Sequence, residues 1–353
     1  MAKSKGKLRV GMIGAGGISK VHCEGWSALA DECELVAITD LSHEAAAARA
    51  VEFKIDVVER TTAELLKRDD IDVVDIVTPN MFHKEQTIAA LNAGKHVLCE
   101  KPLALSAKDV DAMIAASVKA RKKLMCAQHM RFMANSRAVK QHITTHGLGE
   151  VYYARSWFNR RRFLPCTPGF MYKKNSGGGS CIDVGVHALD LTLHFMDNFE
   201  PVSVVGTAVT KLAKQADSWS EWGVIDRENL DVEDFAAGMI RFKNGAVLSL
   251  ECSFMLNMKN KEEVRVDLFG TKAGASWPEC EVFAHTDRDY VDMKINLNSR
   301  LAKAPPHWEE IRAFARAVID NTPVPVPPQQ SRAVIAILEG LYKSQATGKE
   351  VRL

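Results

Sequence analysis

Over roughly the first third of the chain, apolar residues fall into short continuous runs separated by polar or helix-prone segments. Leu8–Ile13, Leu35–Thr39, Asp72–Val77, His96–Cys99 and Leu124–Ala127 have the length and two-sided apolar character of strands buried on both faces. Val57–Val58 is a weaker sixth strand. The intervening segments predict helices from about Gly17, over His43–Phe53, from Thr62 as cap, over His83–Asn92 ending at Gly94, and over Ser106–Arg121. Strands alternating with helices predict a doubly wound parallel sheet, an α/β domain spanning residues 1–128.

Beyond residue 128 the period changes. Val151–Phe158, Val202–Val209, Asp234–Phe242, Ala246–Phe254 and Glu263–Phe269 read as strands, with a hairpin turn at Asn244-Gly245. Long strands without helices between them predict a large, mostly antiparallel open sheet in an α+β domain, residues 129–353. One face of such a sheet packs on helices, and the other is left for a partner subunit. Residues 211–230, with Trp219 and Trp222, form a long irregular connection suited to a lid. Thr322–Pro328 reads as a stiff linker before a last helix, Ser331–Ser344, which is expected to pack back toward the first domain. Disorder is expected only in the first few residues.

The first strand breaks into Gly14-Ala15-Gly16-Gly17-Ile18-Ser19, a glycine turn that lets backbone amides at a helix start approach a diphosphate. This is the Rossmann dinucleotide fingerprint with Ser19 in place of its last Gly or Ala. Asp40 ends the second strand about 20 residues past the turn, where a carboxylate hydrogen-bonds the adenosine ribose. It repels a 2′-phosphate, and Leu41 and Ser42 supply no Arg to hold one, so NAD is expected and NADP disfavoured.

Two further segments carry candidate chemistry. Glu100-Lys101-Pro102 follows the fifth strand at the ligand-binding edge of the sheet, where Lys101 can stabilise alkoxide character, although an isolated lysine there also reads as a solvated surface residue. In Ser176–Phe195, glycines 177 to 179 make a tight loop and Ser180 is a candidate cap for the helix that follows. Asp183, His187, Asp190 and His194 then share one stripe of that helix. The stripe reads as an Asp183–His187 pair serving a general base, as the solvent face of an amphipathic helix, or, more weakly, as a metal site; its spacing is not that of zinc and no metal is expected. Arg160-Arg161-Arg162, with Asn159, offers contacts to a polar or anionic group, or a surface patch.

Composition adds exclusions. A net charge of +2 gives no reason to expect nucleic acid or an anionic membrane as partner. No run is long and apolar enough to span a bilayer, and the basic start MAKSKGK runs into the fingerprint rather than a cleavable signal. Eight cysteines without a C-x-x-C predict reduced thiols in a cytoplasmic protein.

GAGGIS at 14–19, TPNMFH at 78–83, LNAGKHVLCEKPLA at 91–104, SGGGSCIDVGVHALD at 176–190, the DVED-to-NG hairpin at 231–245 and the closing TGKEVRL together resemble the glucose-fructose oxidoreductase / inositol dehydrogenase / MocA family, nearly end to end. The resemblance implies a Rossmann domain followed by a C-terminal domain whose open sheet builds dimers or tetramers. It implies Lys101, Asp183 and His187 as the catalytic set, Thr78, Asn80, His83 and Glu100 as cofactor contacts, and Arg131 near nicotinamide and substrate. The expected activity is oxidation of a secondary alcohol on a sugar, cyclitol or glycoside: His187, steadied by Asp183, takes the hydroxyl proton and Lys101 stabilises the charge. Lys101, Arg131, Asn159, Arg161, Asp183 and His187 are then the candidate substrate contacts. The alternatives are a glycosidase using NAD transiently and a non-catalytic NAD sensor, the latter disfavoured by the presence of both the Lys and the Asp/His pair.

Overall fold

The computed structural model describes residues 6–297 and 305–353, so the basic start of the chain lies outside the described residues. From its N-terminus the chain alternates β1 (Leu8–Ile13), α1 (Gly17–Ser27), β2 (Cys33–Thr39), α2 (His43–Phe53), β3 (Val57–Val58), α3 (Thr62–Leu66), β4 (Val73–Ile76), α4 (His83–Asn92), β5 (His96–Cys99), α5 (Ala107–Ala120) and β6 (Leu124–Cys126). The strands form one parallel sheet in the order β3-β2-β1-β4-β5-β6. Val10, Met12, Val73, Val74, Ile76, Val97 and Leu98 are wholly buried, as strands covered on both faces require. The cap of α3 is Thr61 rather than Thr62: Thr61 is extended, and its Oγ1 accepts from the Glu64 amide at 3.1 Å.

The second half carries α6 (Ala134–His146), β7 (Val151–Arg160), single turns α7 (Pro168–Met171) and α8 (Lys173–Ser176), α9 (Val186–Met196), β8 (Pro201–Val209), β9 (Phe235–Phe242), β10 (Val247–Ser253), β11 (Glu262–Gly270), β12 (Ala273–Trp277), β13 (Glu281–Thr286) and β14 (Asp289–Lys294). It closes with α10 (Pro306–Ile319), α11 (Pro328–Thr347) and β15 (Val351–Arg352). Nine strands form the second sheet in the order β14-β13-β12-β11-β7-β10-β9-β8-β15, antiparallel except for β7 beside β10. Asn244-Gly245 makes the β9–β10 hairpin, with Gly245 at φ +89°.

The chain divides into two compact units, one of Met1–Ala104, Lys108–Phe132 and Ala304–Arg332, the other of Leu105–Ala107, Met133–Lys303 and Ala333–Leu353. This differs from a single cut near residue 128, because α10 folds with the first unit. It lies so close to α1 that a Cβ on Gly25 would come within 2.5 Å of Ile311 Cδ1. The last helix is longer than expected, and the division falls inside it, after Arg332.

In the second unit, strand alternation decides which side chains face the helices. Ala154, Ser156 and Phe158 of β7 are buried, and Ser156 Oγ donates to the Ala188 carbonyl of α9 at 3.1 Å. Tyr153, Arg155, Trp157 and Asn159 therefore point to the opposite face. Residues 211–230 are fastened rather than loose. Asp234 accepts from the amides of Lys211, Leu212 and Ala213 at 2.6–3.0 Å, Tyr172 Oη donates to Asp226, and the Glu221 amide donates to the Arg162 carbonyl.

Candidate active site

The glycine turn of the first unit is built for close approach. Gly14 takes φ +111°, and a Cβ there would lie 2.6 Å from the Val77 carbonyl oxygen, so no other residue fits. At Gly16 and Gly17, both exposed, a Cβ would meet nothing within 4 Å. No side chain caps the start of α1, leaving its first amides toward that open space. Ser19, fully buried, donates to the Gly16 carbonyl at 2.6 Å and accepts from Arg49 Nε at 3.0 Å, so it pins the turn that a Gly or Ala would leave looser. Ile18 is half-buried beside it. Asp40 Oδ2 accepts from the Ala15 amide and Oδ1 from the Ser42 amide, each at 2.7 Å, which holds the carboxylate against the turn. A diphosphate with an adjoining ribose fits this donor and acceptor set.

The loops after β4 and β5 are tied together from behind. His83 is wholly buried, with Nδ1 2.8 Å from the Pro102 carbonyl and Nε2 2.8 Å from the Thr78 carbonyl, and burial lowers its pKa. The family resemblance implied His83 as a cofactor contact; the structure sets its ring between the carbonyls of the two loops, and the neutral ring donates to one of them. Thr78 Oγ1 donates to Gln86 at 2.6 Å, and Asn80 opens a short 3₁₀ turn. Glu100 is likewise buried. Its Oε2 accepts from the Lys101 amide at 2.9 Å and its Oε1 is 3.0 Å from His22 Nε2, so it organises the turn that presents the partly exposed Lys101. Arg131 is buried too, donating to Gln330 at 2.6 Å at the start of α11.

Behind Glu100 lies a charged network that the sequence reading did not identify. His22 Nδ1 is 2.9 Å from Asp75 Oδ2, which also accepts from Trp26 Nε1 at 2.7 Å. Burial opposes charge on His22, but Asp75 and Glu100 outweigh it and raise its pKa well above the usual value. Burial would raise Glu100, yet His22 and Lys101 bring it down to about 2. Glu310 of α10 is fully buried, and burial, reinforced by Glu100, raises its pKa well above the usual carboxyl range. His129 and His307 stack at 4.0 Å, burial lowering them to about 3 and about 4. Asp75 is the single polar residue in the apolar run Val73–Val77, which is the one readable signal; His22 lies among other polar residues of α1 and carries none.

In the second unit the glycine loop is dictated by crowding. A Cβ on Gly179 would fall 2.0 Å from the Glu233 carbonyl oxygen, and one on Gly178 2.0 Å from Tyr342 Oη. Ser180 does not cap the helix, since its side chain donates instead to the Cys252 carbonyl. The buried Glu233 carboxylate takes the Gly179 and Cys181 amides at 2.9 and 2.8 Å and accepts from Tyr342 Oη. Cys181–Gly185 then forms a π turn that places Asp183, and α9 begins at Val186 with His187 in its first turn. The helix is buried nearly all round: His187 is 7% and Asp190 1% exposed, which rules out the solvent-face reading.

Strand parity corrects the third group. Asn159 lies on the face of β7 away from α9 and donates to Glu251 at 2.6 Å, while Arg161 is exposed with its amide on the Lys261 carbonyl. Neither is brought to Asp183. Arg160 is, with Nη1 3.9 Å from Asp183 Oδ2 and Nε bonded to Glu262 at 2.7 Å. Phe158, on the same face, has its ring centroid 6.5 Å from that of His187. Among the described residues no group of three or more His, Cys, Asp or Glu is arranged to hold a metal ion.

Known proteins resemble this chain in sequence and in fold. The model of an oxidoreductase family with an NAD-binding Rossmann fold matches residues 8–128, and that of the GFO/IDH/MocA C-terminal domain matches residues 136–276. D-glucoside 3-dehydrogenase of Escherichia coli (strain K12) is 31% identical over 353 residues, covering all of this chain and 99% of that protein. Inositol 2-dehydrogenase of Rhizobium meliloti (strain 1021) is 35% identical over 357 residues, covering 98% and 99%. A structure of levoglucosan dehydrogenase with NADH and levoglucosan superposes with a TM-score of 0.83 at 24% identity, over 98% of this chain and 99% of that one, a likeness of fold.

Proposed function

Since the chain belongs to the glucose-fructose oxidoreductase / inositol dehydrogenase / MocA family of NAD-dependent oxidoreductases, we propose that it oxidises a secondary hydroxyl of a sugar, cyclitol or glycoside. Bound NAD supplies the hydride acceptor. The first unit offers Gly14, Gly16, Gly17 and Ile18 to the diphosphate and Asp40 to the adenosine ribose, with Thr78 and Asn80 on the next loop. His83 and Glu100 hold the loops after β4 and β5 in place, and Arg131 is fixed against the start of α11. His187 removes the hydroxyl proton, Asp183 sets its orientation, and Lys101 stabilises negative charge developing on the same oxygen.

The observation that carries this reading is the placement of a half-buried Asp183 in a π turn and of a buried His187 in the first turn of α9, in a chain that also carries the NAD fingerprint. Ionisable groups put into an apolar helix cost stability, which a structural helix would avoid. End-to-end likeness to dehydrogenases of glucosides and inositol supports the substrate class. The glycosidase alternative draws no support from these relatives.

The test is formation of NADH, followed by its absorbance, over a panel of sugars, cyclitols and glycosides. On the substrate so found, His187→Ala and Lys101→Ala are each expected to lower turnover roughly 10²- to 10⁴-fold with NAD affinity nearly unchanged. Turnover within about twofold of wild type for His187→Ala would remove the base from the mechanism.

We also propose a cytoplasmic homo-oligomer, a dimer or tetramer joined through the open sheet of the second unit. All eight cysteines are free thiols, as a reducing compartment would keep them, and no described helix is long and apolar enough to cross a membrane.

A further inference from the structure

Arg160 links the Asp183 carboxylate to an aromatic side chain that the proposed reaction does not use. Its guanidinium carbon lies 4.7 Å from the centroid of the Trp222 ring and 4.9 Å from that of Phe158. The same guanidinium approaches Asp183 Oδ2 to 3.9 Å while remaining 13% exposed. Trp222 is therefore one guanidinium away from the carboxylate. Yet the indole is 50% exposed, and Trp219 and Val224 in the same segment are 54% and 87% exposed.

Slack in the loop does not account for that exposure. The Glu221 amide donates to the Arg162 carbonyl at 2.9 Å, Ser220 Oγ donates to the Leu164 carbonyl at 2.7 Å, and the Trp222 amide donates back to Ser220 Oγ at 3.2 Å. A bridge pairs Ser220 with Gly223, whose φ of +131° closes the turn, and Phe163 packs at 5.3 Å from the indole. A large aromatic held rigidly but left half in water, beside charged hydrogen-bonding groups, has the character of a binding surface. It presents apolar area at low entropic cost, and Arg160 offers donors beside it.

We propose that Trp222, braced by Arg160 and Phe163, is a subsite for a ring-bearing aglycone of a glycoside whose sugar is oxidised at Asp183 and His187. The proposal rests on the reading of those two residues given above and adds the substrate portion recognised beyond the reacting sugar. The apolar face of the aglycone ring covers the exposed indole, and Arg160 bonds the oxygen atoms at its edge.

The test compares phenyl and methyl glucosides, each as both anomers, with wild type, Trp222→Ala and Trp222→Phe. Wild type is expected to prefer the phenyl glucoside in kcat/KM, mainly through KM. Trp222→Ala should reduce that preference roughly tenfold while leaving the methyl glucoside within about threefold, and Trp222→Phe should restore most of it. Equal losses on both glucosides, or no phenyl preference in wild type, would overturn the subsite. If neither glucoside is turned over, the same pair is titrated into NAD-loaded protein by calorimetry. Tighter phenyl binding that Trp222→Ala abolishes keeps the subsite although the oxidation reading fails for these sugars, and indistinguishable binding overturns it. Unchanged NAD affinity and melting temperature in Trp222→Ala show that the fold is intact.

Discussion

Asp40 holds the glycine turn through the Ala15 amide and is the group proposed to meet the adenosine ribose. Asp40→Ala removes both interactions, so Asp40→Asn, which keeps an acceptor without the charge, separates them. In Asp40→Ala, loss of one charge-assisted hydrogen bond, about 1.5–3 kcal/mol, should weaken NAD at least tenfold and narrow its advantage over NADP, with Asp40→Asn falling between it and wild type. Fluorescence titration of both nucleotides reads this, and wild-type affinity for NADP equal to that for NAD would refute the role. Glu310 gives a second residue-scale test, in stability. Burial against Glu100 and Asp75, opposed by His22, raises its folded pKa, so the native state keeps a proton that the unfolded chain releases above about pH 4.5. Its contribution to stability is complete below that pH and falls by about 1.4 kcal/mol per unit as pH rises toward the folded pKa. Urea unfolding from pH 5 upward should thus show Glu310→Gln gaining on wild type until the pH reaches the folded pKa, and a difference that is flat from pH 5 would mean that the carboxyl is not held protonated. At this scale the sequence was legible in backbone geometry, as at the positive φ of Gly14 and the turn against which Asp40 lies. It misled at Asn159 and Arg161, because nothing in a run of polar residues says where a strand's alternation ends. Ser156 and Phe158 set the parity, and it selects Arg160.

The elements of the parallel sheet were readable because strands buried on both faces leave unbroken apolar runs. Edge strands carry no such mark: β14 is exposed along most of its length, so its pattern shows no alternation to read. Helix α6 is similar, with only Ser136 and Val139 buried, and α10 went unread although its Ile311, Phe314 and Ala315 stand at helical spacing. The π turn at Cys181–Gly185 was not legible, since it arises from what packs around it. Glu233 takes amides at the start of that helix in place of Ser180, and the approach of the Glu233 backbone excludes any side chain at position 179. Gly179→Ala must displace backbone rather than a flexible side chain, and overpacking of this kind costs about 1–3 kcal/mol. Calorimetric or urea unfolding should register that loss. An alanine variant as stable as wild type would mean that the loop is looser than its contacts imply.

Across the whole molecule, the second sheet has one face committed and one free. Ala236, Ile240, Leu248, Leu250, Cys252, Ala154 and Leu268 are buried on the helix side. The other side runs through paired positions Val205, Met239, Ser249, Arg155 and Asp267, flanked by Tyr153, Trp157, Phe269 and Phe283. Val205, Met239 and Phe283 are each about 40% exposed there, more apolar area than a solvated sheet face ordinarily leaves open. Asp267 on this face accepts from Arg155 at 2.9 Å and from Arg265 at 2.8 Å, and Glu251 accepts from the Asn159 side-chain amide at 2.6 Å, so both central carboxylates keep hydrogen-bond partners when the face is covered. A flat, patterned surface of this kind meets a second copy of itself most economically about a twofold axis, since each apolar row then finds the same row opposite. Sedimentation at micromolar concentration should accordingly give a dimer or tetramer. Val205→Glu combined with Met239→Glu should shift it toward monomer, because neighbouring carboxylates would be buried without partners on both sides of the axis. NAD binding, which belongs to the other unit, should survive that change. A monomeric wild type, or a double variant that assembles as well as wild type, would place the contact elsewhere.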